Sequence, residues 1–221
     1  MENIKENLKK IKAELDKGVL LLAVTKTRTP EEINTAIDEG VTDIGENKVQ
    51  EITDKYDRVK PVRWHMIGHL QTNKVKYIID KVHMIHSVDS MKIAKEIDKR
   101  AAAKGLTMDI LIQVNPASEK SKFGISTEET ENLIKEILEC CNSIRIRGLM
   151  CVVPFAEDPA EVRGYFAQVK EQYDRYGKIS HERLDFKYLS MGMTHDYKVA
   201  VEEGSNLVRI GTAIFGERVY N

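Results

Sequence analysis

The chain reads as an α/β protein, a single (β/α)8 TIM barrel spanning residues 1–221, with an extra helix at 1–17 leading into it. Three observations carry this expectation. Short apolar runs recur eight times, amphipathic stretches of helical period separate them, and polar residues collect just beyond the ends of the runs. A length of 221 residues supports a full-sized core and suits one such barrel.

Each element follows from local pattern. Residues 1–17 place Ile4, Leu8, Ile11 and Leu15 at three-to-four spacing among charges, the signature of an amphipathic helix. Strands are expected at 19–25, 42–46, 63–67, 83–87, 108–114, 145–151, 186–190 and 206–210. The first of them, with Leu20, Leu21, Leu22, Ala23 and Val24 in succession, is apolar on both faces, as a strand covered on both sides must be. Between the strands, PEEINTAIDEG, SMKIAKEIDKRAAAKG, TEETENLIKEILECC and PAEVRGYFAQVKEQYDRYG open with Ser, Thr or Pro or close at Gly, as helix ends require.

Composition narrows the function. The 34 basic and 35 acidic side chains leave a formal charge of −1, so no general attraction to nucleic acid or an anionic membrane is expected and any anion site must be local. Cys140, Cys141 and Cys151 form neither a disulfide framework nor a C-x-x-C metal half-site; they read as reduced, core-filling residues of a cytoplasmic protein. The first residues lack the apolar centre and cleavage site of a signal peptide, and no stretch reaches membrane-spanning length.

A barrel of this kind carries its function at the C-terminal ends of the strands. Lys26, Glu46, Asn47, His69, Ser87, Asp89, Asn115, Pro154 and the run LSMGMTHDY all stand there. Each has an ordinary reading: Lys26 as a lysine snorkelling to water, Asp89 and Thr194 as helix N-caps. A metal site at His65 and His69 is the weaker reading, because i, i+4 spacing does not align two ligands on a strand and loop. Convergence favours a ligand.

Two stretches suit a phosphate. In LSMGMTHDYKVA, Gly192 allows a tight turn before a helix whose free N–H groups attract an anion, and Ser190 offers a hydroxyl. In LVRIGTAIFGER, Gly211 and Thr212 repeat the arrangement, with a short helix starting at Thr212. Arg209 lies within an apolar strand, where its guanidinium needs either a structural acid partner or a ligand. A ring carrying a phosphate at one end and an aldehyde at the other uses all of these parts. Lys26 reacts with the aldehyde as the neutral amine, which poor hydration favours, and Arg209 keeps the ring nitrogen unprotonated, weakening the ring as an electron sink.

The segments AVTKT, IGENKVQE, WHMIGHLQTNK, HSVD, GLM, LSMGMT and RIGTAIFGER, in this order from residue 23 to residue 218, resemble the YggS/PROSC family of pyridoxal phosphate homeostasis proteins. That resemblance implies a barrel like the N-terminal domain of alanine racemase, without its second, β-rich domain. It implies pyridoxal 5′-phosphate (PLP) as cofactor, in covalent aldimine linkage to Lys26, with Arg209 on the pyridine nitrogen. Ser190, Gly192, Met193, Gly211 and Thr212 fall in the phosphate and ring environment, and Asn47 and His69 at family positions near the mouth. Cys151 after GLM departs from the small polar or apolar residue expected there, which touches local packing only.

The leading expectation is a protein that holds PLP reversibly and serves its homeostasis and amino-acid balance, without robust turnover. PLP-dependent apo-enzymes are candidate recipients; a monomer is expected, with a weak dimer as the alternative. A small PLP-dependent amino-acid racemase is the second reading. It needs a base on each face of the substrate carbon, and in alanine racemase the opposite base is a tyrosine of the second domain and partner subunit, which this chain is expected to lack. A Schiff-base aldolase is the third, and it wants paired carboxylates near the lysine, where Glu46 alone stands at a strand end.

Overall fold

A computed structural model describes residues 2–119 and 123–217; Lys122 in the loop after the fifth strand and Arg218 at the end of RIGTAIFGER lie outside the described residues. Eight strands pair in parallel and in chain order, and the last pairs with the first, so the sheet is a closed barrel. The strands are β1 (Leu20–Val24), β2 (Asp43–Glu46), β3 (Arg63–Met66), β4 (Met84–Val88), β5 (Met108–Val114), β6 (Ile144–Cys151), β7 (Leu184–Met193) and β8 (Leu207–Ile210). They match the expected runs closely except at β7, which continues through Gly192 to Met193.

The crossovers are α2 (Pro30–Asp38), α3 (Val49–Lys55), α4 (Met91–Ala102), α5 (Thr130–Cys140), α6 (Arg163–Tyr176), α7 (Tyr197–Glu202) and α8 (Thr212–Phe215), behind a leading α1 (Glu2–Glu14); a short 3-10 segment at Thr72–Tyr77 replaces a helix after β3. The start of α2 shows why its sequence folds this way. Thr29 accepts the Glu32 N–H, Glu32 reaches back to the Thr29 N–H at 2.8 Å, and Pro30 occupies the first turn, where its missing N–H costs nothing.

Three terminal expectations change. Ser90, not Asp89, is the N-cap residue of α4, and Asp196, not Thr194, precedes α7. The helix expected directly after Gly192 begins only at Tyr197, because strand pairing persists to Met193 and a turn follows it, with the Met193 N–H donating to Asp196 Oδ1 at 2.6 Å. Of the cysteines, all free, Cys141 and Cys151 are buried but Cys140 is exposed, since it ends α5 on the solvent side.

The main core lies between the strands and the helix ring, and a separate small cluster of Met84, Leu111 and Met150 fills the barrel. Ile4, Leu8 and Ile11 seat α1 against the barrel, Asn7 donates to the Ile214 carbonyl at 3.0 Å, and Tyr197 donates its hydroxyl to Glu14 at 2.5 Å. This helix therefore closes the wall beside α8. Leu8→Ala should cost about 2–5 kcal/mol in denaturant unfolding with the folded spectrum retained. A change below 0.5 kcal/mol, roughly the level of a neutral surface substitution, would mean that α1 is not docked.

Candidate site at the barrel mouth

Alternation along the strands decides which side chains enter the barrel. Register pairs Leu22 of β1 with Arg209 of β8, and Lys26 follows two residues after the end of β1, at the C-terminal end of the barrel. Lys26 is half-buried and the turn after β1 carries it. Arg209 is buried at 4% exposure, too deep to be a surface cation.

Its partners are not the acid that a structural ion pair would need. One guanidinium nitrogen donates to the Ser190 carbonyl at 2.7 Å and to Ser190 Oγ at 2.8 Å, and the other donates to the Cys151 carbonyl at 2.8 Å. Burial pushes the guanidinium below its ordinary value, partly offset by the Cys151 thiol and Asp196, and an arginine keeps its proton nonetheless. The same burial pushes the Cys151 thiol up to about 12, so that cysteine stays an uncharged filler.

Ser190 is the first link of a polar chain through the barrel. Its Oγ lies 3.3 Å from His86 Nδ1, His86 Nε2 lies 2.9 Å from His65 Nδ1, and His65 Nε2 lies 2.9 Å from Asp43 Oδ1. Arg63 closes the far end, donating to both Asp43 oxygens at 2.7 and 2.6 Å. An ionised Asp43 only accepts, which sets every proton: His65 Nε2–H donates to Asp43, His86 Nε2–H to His65, and the Ser190 hydroxyl to His86. Burial holds His65 and His86 below the ordinary imidazole value, His86 furthest, with Arg209 nearby adding to its effect. Burial alone would raise Asp43, but the hydrogen bonds from His65, Arg63 and Thr42 hold it well below the ordinary carboxylate range.

The Ser190 hydroxyl is thus bonded to His86 and Arg209 inside the barrel, and His65 belongs to this chain rather than to a pair with His69. His69 is exposed and stacks on Phe123 with ring centroids 3.9 Å apart. Among the described residues no group of three or more His, Cys, Asp or Glu is placed to hold a metal ion.

Two glycine-bearing loops, after β7 and β8, lie side by side at the mouth. Gly192 has φ +93°, and a Cβ there would lie 2.7 Å from Ala200 Cβ, so only glycine allows β7 to turn this closely over α7. Gly211 faces Val24, where an added Cβ would meet the Val24 carbonyl at 3.2 Å. Thr194 points from the β7 turn toward the β8 turn: its Oγ1 lies 3.5 Å from the Ala213 N–H, next to exposed Thr212. Thr194 is the residue that sequence reasoning gave to capping. Its place one position beyond Gly-Met, matching Thr212 after Gly211, was the available signal. Met193 lines an apolar cavity of about 250 Å3 with Val152, Pro154 and Phe155 at the rim.

Glu46 faces the other way, out of the barrel. It pairs with Lys55 at 2.9 Å beneath α3, which removes it as an acid beside Lys26. Near the C-terminal ends of β2 and β4, the buried Asn47 Oδ1 and Ser87 Oγ have no hydrogen-bond partner among the described residues. Such orphaned atoms are costly unless a ligand or water meets them, and together with the Arg209 donor and paired threonines they fit a polar, anionic ring ligand such as PLP.

Residues 1–219 match the family described as alanine racemase, N-terminal domain, and the class is thereby defined as a barrel of that type. The pyridoxal phosphate homeostasis protein of Aquifex aeolicus is 44% identical over 90% of this chain and 87% of that protein, and the one from Helicobacter pylori strain 26695 is 37% identical over 90% and 88%. This chain belongs to the pyridoxal phosphate homeostasis protein family. PipY of Synechococcus elongatus PCC7942, solved with PLP bound, superposes with a TM-score of 0.87 at 30% identity, covering 96% of this chain and 100% of PipY. Alanine racemase of Clostridium difficile 630 has a TM-score of 0.79 at 16% identity over 100% of this chain and 61% of its own, a likeness of fold.

Neutral buried imidazoles make stability depend on pH with a definite sign. A histidine whose folded value lies below its unfolded value near 6.5 binds fewer protons when folded, so its contribution is present above that pH and is lost as pH falls below it. The melting temperature should be level near pH 7–8 and decline from about pH 6.5 to about pH 5, with a shallower decline in His86→Gln. An unchanged slope in that variant would place the titration elsewhere.

Proposed function

We propose that this protein binds PLP in the barrel mouth and serves PLP homeostasis as a holder and carrier of the cofactor in the cytoplasm, without robust catalytic turnover. The observation that carries the reading is Arg209: a buried cation fixed by neutral groups inside the barrel, on the strand next to the one that leads into the Lys26 turn. The family membership and PLP-bound PipY support the choice of ligand.

When bound, the cofactor supplies an aldehyde and a ring able to accept electron density. In this reading Lys26 would hold the aldehyde end, offering its neutral amine to the carbonyl carbon. Arg209, already anchored on Ser190 and Cys151, presents an N–H to the ring nitrogen and has no lone pair or proton to spare for it, so that nitrogen stays unprotonated. Thr194 and Thr212 donate to the phosphate where Gly192, Met193 and Gly211 let the backbone approach. Asn47 and Ser87 meet the ring edge with their orphaned oxygens, and His69 lies at the rim.

The racemase alternative draws support from the alanine racemase fold, but it needs a second base across from Lys26. None of the described residues in the loops following the strands is a tyrosine. The carrier reading extends to PLP-dependent apo-enzymes as recipients. A closed sheet leaves no strand edge for pairing between copies, in keeping with a monomer, and three free cysteines suit a reducing compartment.

Purified protein should be yellow, and borohydride should fix the cofactor on Lys26 by peptide mapping; label on Lys74 or Lys122 with Lys26 unmodified would overturn the assignment. Thr194→Ala and Thr212→Ala should each weaken PLP by about tenfold to a hundredfold, the value of a hydrogen bond to a charged acceptor of roughly 1.5–3 kcal/mol, and leave pyridoxal binding unchanged. Incubation with L-amino acids should give no sustained D-enantiomer formation. Turnover that disappears in Lys26→Ala would make the racemase reading the correct one.

A further inference from the structure

The turn that carries Lys26 is strained at the residue after it. Arg28 N–H donates to the Thr25 carbonyl at 3.0 Å, closing a four-residue turn with Lys26 second and Thr27 third. Thr27 has φ +67°, a left-handed conformation that a third turn position ordinarily gives to glycine and that a β-branched side chain resists. Some other contact has to hold it there.

The contact comes from α3. Thr27 N–H donates to Glu51 Oε2 at 2.6 Å, and Lys55 Nζ donates to the same Glu51 oxygen at 2.7 Å, to Glu46 Oε1 at 2.9 Å and to the Thr25 carbonyl at 3.1 Å. Thr25 Oγ1 completes the set by donating to Glu46 Oε1 at 2.7 Å. Both neighbours of Lys26 are thus pinned to one ion cluster on the outer side of the sheet.

We propose that Glu51, held in place by Lys55, is a positioning residue for Lys26, clamping the left-handed turn at Thr27 so that the lysine amine is presented to the aldehyde end of a bound ligand. The inference rests on the functional reading above, in which Lys26 captures PLP. Clamping matters because a freely rotating turn spends part of its time with the amine elsewhere, which lowers the effective concentration at the reacting carbon. Glycine at position 27 needs no clamp, since it adopts φ > 0 without steric cost.

The test compares two ligands and one rescue. Pyridoxine 5′-phosphate has no aldehyde and reads only the ring and phosphate contacts. Glu51→Ala should reduce borohydride-trapped PLP on Lys26 by about tenfold or more, with pyridoxine 5′-phosphate affinity within about twofold of wild type. Glu51→Gln, which keeps the acceptor oxygen, and Glu51→Ala/Thr27→Gly should both recover most of the trapping. Without any ligand, amide exchange at Thr27 should accelerate in Glu51→Ala. Equal trapping in wild type and Glu51→Ala, or a parallel fall in pyridoxine 5′-phosphate binding, overturns the inference alone. A wild-type protein that PLP does not label at Lys26 overturns the functional reading beneath it.

Discussion

A permanent positive charge sealed inside a closed sheet is the constraint on which the site depends. Arg209 cannot shed its proton, and no carboxylate is bonded to it among the described residues, so its hydrogen bonds go to main-chain carbonyls and one hydroxyl. Beside them the β7–β8 ladder loses its register between Ser190 and Met193. The same irregularity carries β7 on to Gly192 and sets Thr194 over the next loop.

The chain from Ser190 through His86 and His65 to Asp43 then polarises the barrel in one direction. Every link donates toward Asp43, and the lone pairs of Ser190 are left for Arg209. One hydroxyl and two main-chain carbonyls keep the cation hydrogen-bonded without cancelling its charge. A carboxylate in the place of Ser190 would satisfy the guanidinium more strongly and leave less field for a ligand.

The two ends of the ligand site are supported by separate means. The end proposed to take the phosphate is a matter of backbone shape, with Gly192 and Gly211 permitting close approach between β7, β8 and their loops. The lysine end depends on an ion cluster beyond the sheet, in which Lys55 joins Glu46 and Glu51. A buried ion pair of this kind is weak evidence for stability, because desolvation offsets much of the attraction. Burial indeed pushes the Glu46 carboxyl up even with Lys55 beside it. Its contribution is directional: it fixes where one turn sits.

Much of this architecture was legible in the sequence. Eight short, largely apolar runs announced eight parallel strands, and Arg209 stood out because it lies between Leu207, Val208 and Ile210. Lys26, Gly211 and Thr212 were legible for the same reason, as polar or small residues directly after apolar runs. Which face each residue takes was not legible, because a single irregularity in register exchanges the inner and outer faces of a strand. The Ser190 hydroxyl turned inward to His86, and Glu46 turned outward to Lys55. The partnership of Asp43, His65 and His86 joins three strands, and Thr27 owes its left-handed turn to a carboxylate one crossover away. The sequence by itself determined the number of strands, the helix limits within a turn and the chemistry collected at one end of the barrel, since these follow from local period and polarity. Tertiary structure alone decided which of those polar groups meet, because closure of the sheet brings together side chains that no local pattern relates.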